Sequence, residues 1–288
     1  MSSPDIVAIG GGRGLASSLA AVRSLTDRVT AVVSVADDGG SSGRIRESLG
    51  LPALGDLRKA IVALASPTSP LAAAMHHRFS SGELGGHPLG NLLIAAMVES
   101  EGDLVRSLDE VLALVDGTGR VLPAALEPVV LCGETADGTE VRGQVAVMGT
   151  PGIVKVHLDR PDVTVADQVV EAIEGADLVV LGPGSMFTSV LAACATKAVT
   201  DALASTGGRV VYVCNLRPQV PETEGYDVAR HLEALERHGI EVDQVLADPA
   251  HLPEGPRVEG VTYTALASEE HPGHDPARLG EALRRLLG

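Results

Sequence analysis

The sequence predicts an α/β fold: a Rossmann-like three-layer sandwich with a mainly parallel sheet, a helical insertion and a small antiparallel β element. Three observations predict it. Short apolar runs alternate with helical ones at both ends of the chain, and glycine-rich turns follow several of those runs directly. Hydrophobic residues make up 45% of the chain, yet there is no Trp and only three Tyr and two Phe, so the core must be aliphatic and suited to helix-on-sheet layers. At 288 residues an α/β unit commonly remains one domain, and the chain is read as a single domain over residues 1–288.

The elements follow in order. Asp5 to Ile9 reads as a strand, then come a glycine turn, a helix to about Leu25, and a second strand from Val29 to Val35, a strand-helix-strand unit. From about 43 to 118 the pattern is helical, with apolar spacing in Asp56–Leu64 and Asn91–Met97, and reads as an insertion of several helices. Between about 120 and 160 β-type runs return, and Asp137-Gly138 between Val129–Leu131 and Val141–Val145 marks a hairpin. After Val165 the alternation resumes: helix to Glu174, strand Asp177–Leu181, helix Val190–Leu203, strand Arg209–Cys214, helix Tyr226–Arg237, strand Val242–Leu246. His271 to Pro276 reads as a loop before a last helix. Alternation of this kind implies a parallel sheet covered on both faces.

Charge narrows the partners. A formal net charge of −16 repels the phosphate backbone of nucleic acid, so DNA and RNA are not expected partners. Residues 1–60 nevertheless hold seven Lys and Arg against six Asp and Glu, which makes this segment the one an anion prefers. Cys132, Cys194 and Cys214 lie far apart without a CxxC pair and predict reduced, buried thiols rather than disulfides or zinc. The opening MSSPDIVAIGGG lacks a basic n-region and no apolar run approaches a membrane span of ~20 residues. A cytoplasmic protein without membrane contact is expected. The oligomeric state is left open, a homo-oligomer included.

Chemistry concentrates in the turns. Gly10-Gly11-Gly12-Arg13-Gly14-Leu15 follows the first strand and opens a helix, where glycine amides and the helix N-terminus suit a phosphate. It is neither a dinucleotide fingerprint, since the third glycine position is Leu15, nor a Walker motif, since no GK[ST] follows. A strand-to-helix turn with no ligand has the same composition. At the end of the second strand stands Asp37-Asp38-Gly39-Gly40-Ser41-Ser42-Gly43-Arg44, where a carboxylate accepts ribose hydroxyls, amides and hydroxyls meet a phosphate, and Arg44 and Arg46 offset its charge. A solvated loop, or an Mg²⁺ site on the two carboxylates, are its other readings, although two ligands alone do not define a metal site.

Gly182-Pro183-Gly184-Ser185 repeats the arrangement after a later strand, and Asn215 with the polar loop 217–225 follows another. Within the insertion, Gly55-Asp56 and Gly90-Asn91 place polar groups at helix starts, as ligand contacts or as an N-cap and a core amide. His76 and His77 are adjacent and point to different sides of a helix, a poor metal pair. No HExxH, Gly-x-Ser-x-Gly or Cys/His cluster appears, so no metal site, structural zinc or nucleophilic elbow is expected. A nicotinamide-dependent dehydrogenase is weakened by the missing glycine and by the lack of an evident proton donor.

Gly-Gly-Gly-x-Gly-Leu at 10–15, Ala-Asp-Asp-Gly-Gly-Ser-Ser-Gly-Arg at 36–44, Gly-Asp-Leu-Arg at 55–58, Gly-His-Pro-Leu-Gly-Asn-Leu-Leu at 86–93, Leu-Gly-Pro-Gly-Ser at 181–185 and Val-Cys-Asn-Leu at 213–216 together resemble the YvcK-type gluconeogenesis factors. That family is similar in fold to the CofD-type 2-phospho-L-lactate transferases. The resemblance implies a nucleotide-binding domain that takes UDP-sugars, notably UDP-N-acetylglucosamine, and a regulatory role in carbon metabolism and in cell shape or cell-wall synthesis. It brings no established catalysis; the alternative is a CofD-like, Mg²⁺-dependent transferase acting on a nucleotide-diphosphate-activated substrate. Arg13 and Lys59 depart from the family pattern, and both add positive charge near the expected ligand.

Overall fold

The computed structural model describes residues 3–252, 255, 257–270 and 272–287. Strand β1 (Ile6–Gly10) leads through α1 (Gly12–Val22) to β2 (Val29–Val33). Helices α2 (Gly40–Leu49), α3 (Gly55–Leu64), α4 (Pro70–Met75), α5 (Leu89–Glu101) and α6 (Leu104–Leu114) follow, then β3 (Arg120–Pro123). Next come β4 (Leu131–Thr135), β5 (Glu140–Arg142), the short α7 (Gln144–Met148) and β6 (Ile153–Leu158). The last third holds α8 (Asp167–Glu174), β7 (Leu178–Leu181), a π-helical turn (Met186–Leu191), α9 (Lys197–Ser205), β8 (Arg209–Val213), α10 (Val228–Arg237), β9 (Gln244–Ala247), β10 (Val261–Tyr263) and α11 (Pro276–Leu287).

Seven strands form one sheet in the order β10-β9-β8-β7-β1-β2-β3, every neighbouring pair parallel. Every residue of β1 and β7 is buried, which is why both read as unbroken Ile, Val, Leu and Ala runs rather than alternating ones. The α1 helix turns Leu15, Leu19 and Val22 inward, an i, i+4, i+7 stripe, and packs against α3 and α11. β4, paired antiparallel with both β5 and β6, makes a separate three-stranded sheet.

The expected fold class is therefore the observed one, with four local differences, the first being that Arg120–Pro123, at the start of the expected hairpin region 120–160, is instead the β3 edge of the parallel sheet. The hairpin's second arm stops at Arg142, because Gly143, at φ +105°, turns the chain into α7 instead of continuing the strand. The expected helix over 190–203 is two pieces, the π-helical turn and α9. β10 is a three-residue edge strand too short to read from the sequence. The loop expected from 271 to 276 is a loop from Pro272 to Asp275, with an isolated bridge between Ala267 and His274; His271 lies outside the described residues. All three cysteines are buried and unpaired, and burial drives the Cys194 thiol up to about 12. Among the described residues no helix is long and apolar enough to cross a membrane.

Candidate functional site

Parallel pairing sets the site. Ile9 lies opposite Leu181, Gly10 opposite Val33, and Leu181 opposite Tyr212, so the turns after β1, β2, β7 and β8 open at one edge. The strand order reverses between β1 and β7, one branch running to β2 and β3 and the other to β8, β9 and β10. Open α/β sheets take ligands in the crevice outside such a reversal, at the carboxyl ends of the strands.

The β1 and β7 turns are in contact. A Cβ at Gly14 would lie 2.1 Å from the Pro183 carbonyl oxygen, so only glycine permits the approach. The Ser18 hydroxyl donates to Gly182 O, and the Gly184 N–H donates to Asn215 Oδ1 at 3.0 Å, which ties in the loop after β8. These turns border a cleft of about 620 Å³, lined among others by Arg13, Gly14, Gly184, Asn215, Gln219 and His274, within the size range of small-molecule sites. The exposed Arg13 makes no ion pair among the described residues, and its amide and that of Gly14 fall in the first helical turn, where a helix offers no acceptor.

Two polar groups of the cleft wall are buried. Asn215 is buried, and its Nδ2 has no hydrogen-bond partner among the described residues. His274 Nε2 lies 3.0 Å from the Cys214 carbonyl, which can only accept, so Nε2 carries the proton and Nδ1 is an acceptor. Burial pushes the His274 pKa down to about 4, so the ring is neutral at pH 7.

Several expected donors are already taken by the protein's own carboxylates. Asp56 accepts the Gly12 N–H at 2.7 Å and the Lys59 ammonium at 2.7 Å, so the charge of Lys59 is matched locally while that of Arg13 is not. Asp38 takes the Gln144 and Val145 N–H groups at 2.9 and 3.0 Å, capping α7 and fastening the small sheet to the β2 turn. Buried Glu222 accepts the Phe187 N–H at 2.7 Å and the Thr188 N–H at 3.3 Å, together with the Ser185 hydroxyl. Asp37 binds the Gly39 N–H through Oδ1 only. Both oxygens of Asp38 are thus engaged by α7, whereas Asp37 Oδ2 accepts no hydrogen bond among the described residues. No group of three His, Cys, Asp or Glu that could hold a metal ion occurs among the described residues.

The remaining singled-out residues divide. Leu15 packs in the core and its N–H pairs with Gly11 O. Ser42 and Gly55 meet where the β2 turn touches α3. Buried Ser41 leads away from the cleft: Asn91 Nδ2 donates to its hydroxyl at 3.1 Å, and Arg44 reaches Gly85 O at 2.9 Å. Gly10, Gly11 and Gly12 form the β1 turn itself and Gly40 opens α2. Reading the sequence missed Glu222 and His274. Glu222 sits in a polar loop with no mark of burial, and His274 arrives from 60 residues beyond the carbonyl that holds it.

A larger groove of about 1010 Å³ lies at the opposite edge, beside Asp177, Gly208, Arg209 and Asp243. There Asp243 accepts the Val210 N–H and Asp177 the Asp5 N–H, and none of the glycine-rich turns reaches it. Position relative to the strand ends, not volume, decides which of the two is the candidate site.

A Rossmann-order parallel sheet with a cleft at its reversal point defines a class of α/β protein, and the family comparison makes the class specific. Residues 6–278 match the family described as 2-phospho-L-lactate transferase CofD, and the chain belongs to that family. It is 44% identical over 309 residues to a Mycobacterium leprae protein named "Putative gluconeogenesis factor", covering 98% of this chain and 86% of that one. A "Gluconeogenesis factor" of Halalkalibacterium halodurans is 40% identical over 251 residues, 85% of this chain and 78% of that protein. A crystal structure of a UPF0052-family protein from Bacillus halodurans superposes with a TM-score of 0.91 at 33% identity, over 99% of both chains.

Proposed function

We propose that this chain is a regulatory protein of the gluconeogenesis-factor type that binds a nucleotide-sugar, UDP-N-acetylglucosamine or a close analogue, in the cleft between the β1 and β7 turns. It acts in the cytoplasm, on carbon metabolism and on cell shape or cell-wall synthesis. One observation carries the binding reading: the Asn215 amide is buried at the cleft with an unfilled donor, and a buried unfilled donor is costly unless something accepts from it. A sugar or phosphate oxygen supplies that acceptor. The diphosphate lies over the Arg13 and Gly14 amides, with the Arg13 side chain offsetting its charge, and Asp37 accepts a hydroxyl through its second oxygen. Calorimetric titration with UDP-N-acetylglucosamine should give one saturable site, lost in Asn215→Asp; absence of heat at millimolar ligand would overturn the reading.

Membership of the 2-phospho-L-lactate transferase family favours a second reading, a transferase acting on a nucleotide-diphosphate-activated substrate. The engagement of Asp38 with α7 counts against Mg²⁺ held by the two adjacent carboxylates. Incubation with a nucleotide panel, Mg²⁺ and a deazaflavin acceptor decides it, by whether mass spectrometry finds a new phosphodiester.

A further inference from the structure

We propose a second ligand site, apart from the Asn215 cleft and independent of the nucleotide-sugar reading: an oxyanion subsite formed by Arg44, Arg58 and Arg78 behind the β2 turn, taking a phosphoryl or carboxylate group. Arg58 is 6% exposed, yet it faces no carboxylate within ion-pair distance among the described residues. Its Nε donates to Asn91 Oδ1 at 3.0 Å and its Nη1 lies 3.5 Å from His76 Nδ1, while Nη2 has no protein acceptor among the described residues. A guanidinium taken out of water without an anion is costly, since a neutral amide returns only part of the lost hydration. Asp56, two residues earlier, is the acid that acts on it favourably, and Asp56 is already held by Lys59 and the Gly12 N–H.

Arg78 acts on it by like charge, and Arg44 shares a loop with Arg78. Arg44 Nη2 donates to Gly85 O at 2.9 Å, and Arg78 donates to Gly86 O, so one loop holds both side chains by its carbonyls. That loop is closed by the Arg78–Pro88 bridge and by the Gly86 N–H donating to Phe79 O at 2.8 Å. Neither arginine has an acidic partner among the described residues. His87, 2.8 Å from the Ser41 hydroxyl, is held below its ordinary pKa by burial, then by Arg44 and Arg78; His76 is lowered by burial, then by Arg58. Both imidazoles are therefore neutral at pH 7, as expected beside uncompensated positive charge.

The chain carries 38 Asp and Glu against 22 Lys and Arg, so acids were abundant, and these three arginines still have no ion-pair partner among the described residues. Forked guanidinium donors match the paired oxygens of phosphate and carboxylate, and the half-buried position strengthens the attraction. The network Arg58–Asn91–Ser41–His87 holds the donors in place from the buried side.

The test titrates the full chain with inorganic phosphate and, separately, with acetate, ionic strength being held constant with chloride. Binding is read by phosphorus NMR linewidth and by the thermal midpoint. Saturable binding is expected; phosphate above acetate assigns a phosphoryl ligand, and the reverse order a carboxylate. Arg44→Gln and Arg78→Gln alter exposed side chains and should each weaken binding about tenfold, the worth of one hydrogen bond to a charged group. Asn215→Asp should leave it unchanged. No saturable binding of either anion, or binding that both arginine variants leave intact, would overturn the proposal. So would equal loss in Asn215→Asp, which would put the anion in the nucleotide cleft.

Discussion

The turns after β2 and β7 are alike in composition, glycines followed by serine at a helix start, and opposite in what holds their donors. At β7 the helix N-terminus is closed from below: Glu222 takes the Phe187 and Thr188 N–H groups and the Ser185 hydroxyl, so that turn is a structural joint. At β2 the Ser41 hydroxyl leads through Asn91 to Arg58, a cation with no ion-pair partner among the described residues. Turn composition reports which donors are present; only the tertiary structure reports whether a carboxylate already occupies them.

The largest expected effect tests the closed turn. Glu222→Ala leaves two buried amides without their acceptor and the Ser185 and Thr188 hydroxyls with only each other, and should lower unfolding free energy by about 4 kcal/mol in guanidinium melts. A loss under about 1 kcal/mol would mean that those donors find other partners and that the β7 turn is as open as the β2 turn.

Acid should act next. His274 has its pKa lowered to about 4 in the folded chain, so between about 6.5 and 4 the unfolded state binds the extra proton. Its contribution is complete above pH 6.5 and is lost as pH falls, by up to about 3 kcal/mol at pH 4. His274→Gln should flatten that part of the stability–pH curve; an unchanged slope would show that the ring is not held neutral against Cys214 O.

A smaller effect separates the two adjacent acids. Asp38→Asn weakens the cap on α7 and should cost about 1 to 2 kcal/mol, whereas Asp37→Asn should cost less than half of that, having a single local Gly39 contact. For nucleotide-sugar affinity the order should reverse, Asp37→Asn being the more damaging. Equal effects on both quantities would remove the distinction between a fastening acid and a ligand acid.

Much of the architecture was legible because period and burial agree. β1 and β7 are continuous apolar runs bounded by glycine, and parallel pairing follows from the helices between strands. The convergence of four turns was legible for the same reason, since strand ends in one parallel sheet share an edge. What could not be read was the long-range bookkeeping of polar groups. Asp38 meets an amide 106 residues away, and Glu222 meets one 35 residues away. No local pattern distinguishes such an acid from one facing solvent. Gly14 looks like a phosphate-loop glycine and is also required for contact with Pro183, two roles with one sequence signature. β10 was missed because three residues on a sheet edge carry too little periodicity to count.

The last effect is modest on stability and the sharpest on function. Asn215 Oδ1 accepts the Gly184 N–H and joins two turns, while its Nδ2 has no partner among the described residues. Asn215→Asp preserves the acceptor and replaces only the idle donor with a second, negatively charged oxygen. Chemical stability should fall by about 1 to 2 kcal/mol, the charge-strengthened bond to Gly184 offsetting only part of the cost of a buried carboxylate. Affinity for UDP-N-acetylglucosamine should fall at least about tenfold, because a carboxylate then faces the ligand oxygen that the amide was to serve. If instead stability collapses and affinity is kept, the amide is a structural joint like Glu222, and the β7–β8 side of the edge is closed to ligands.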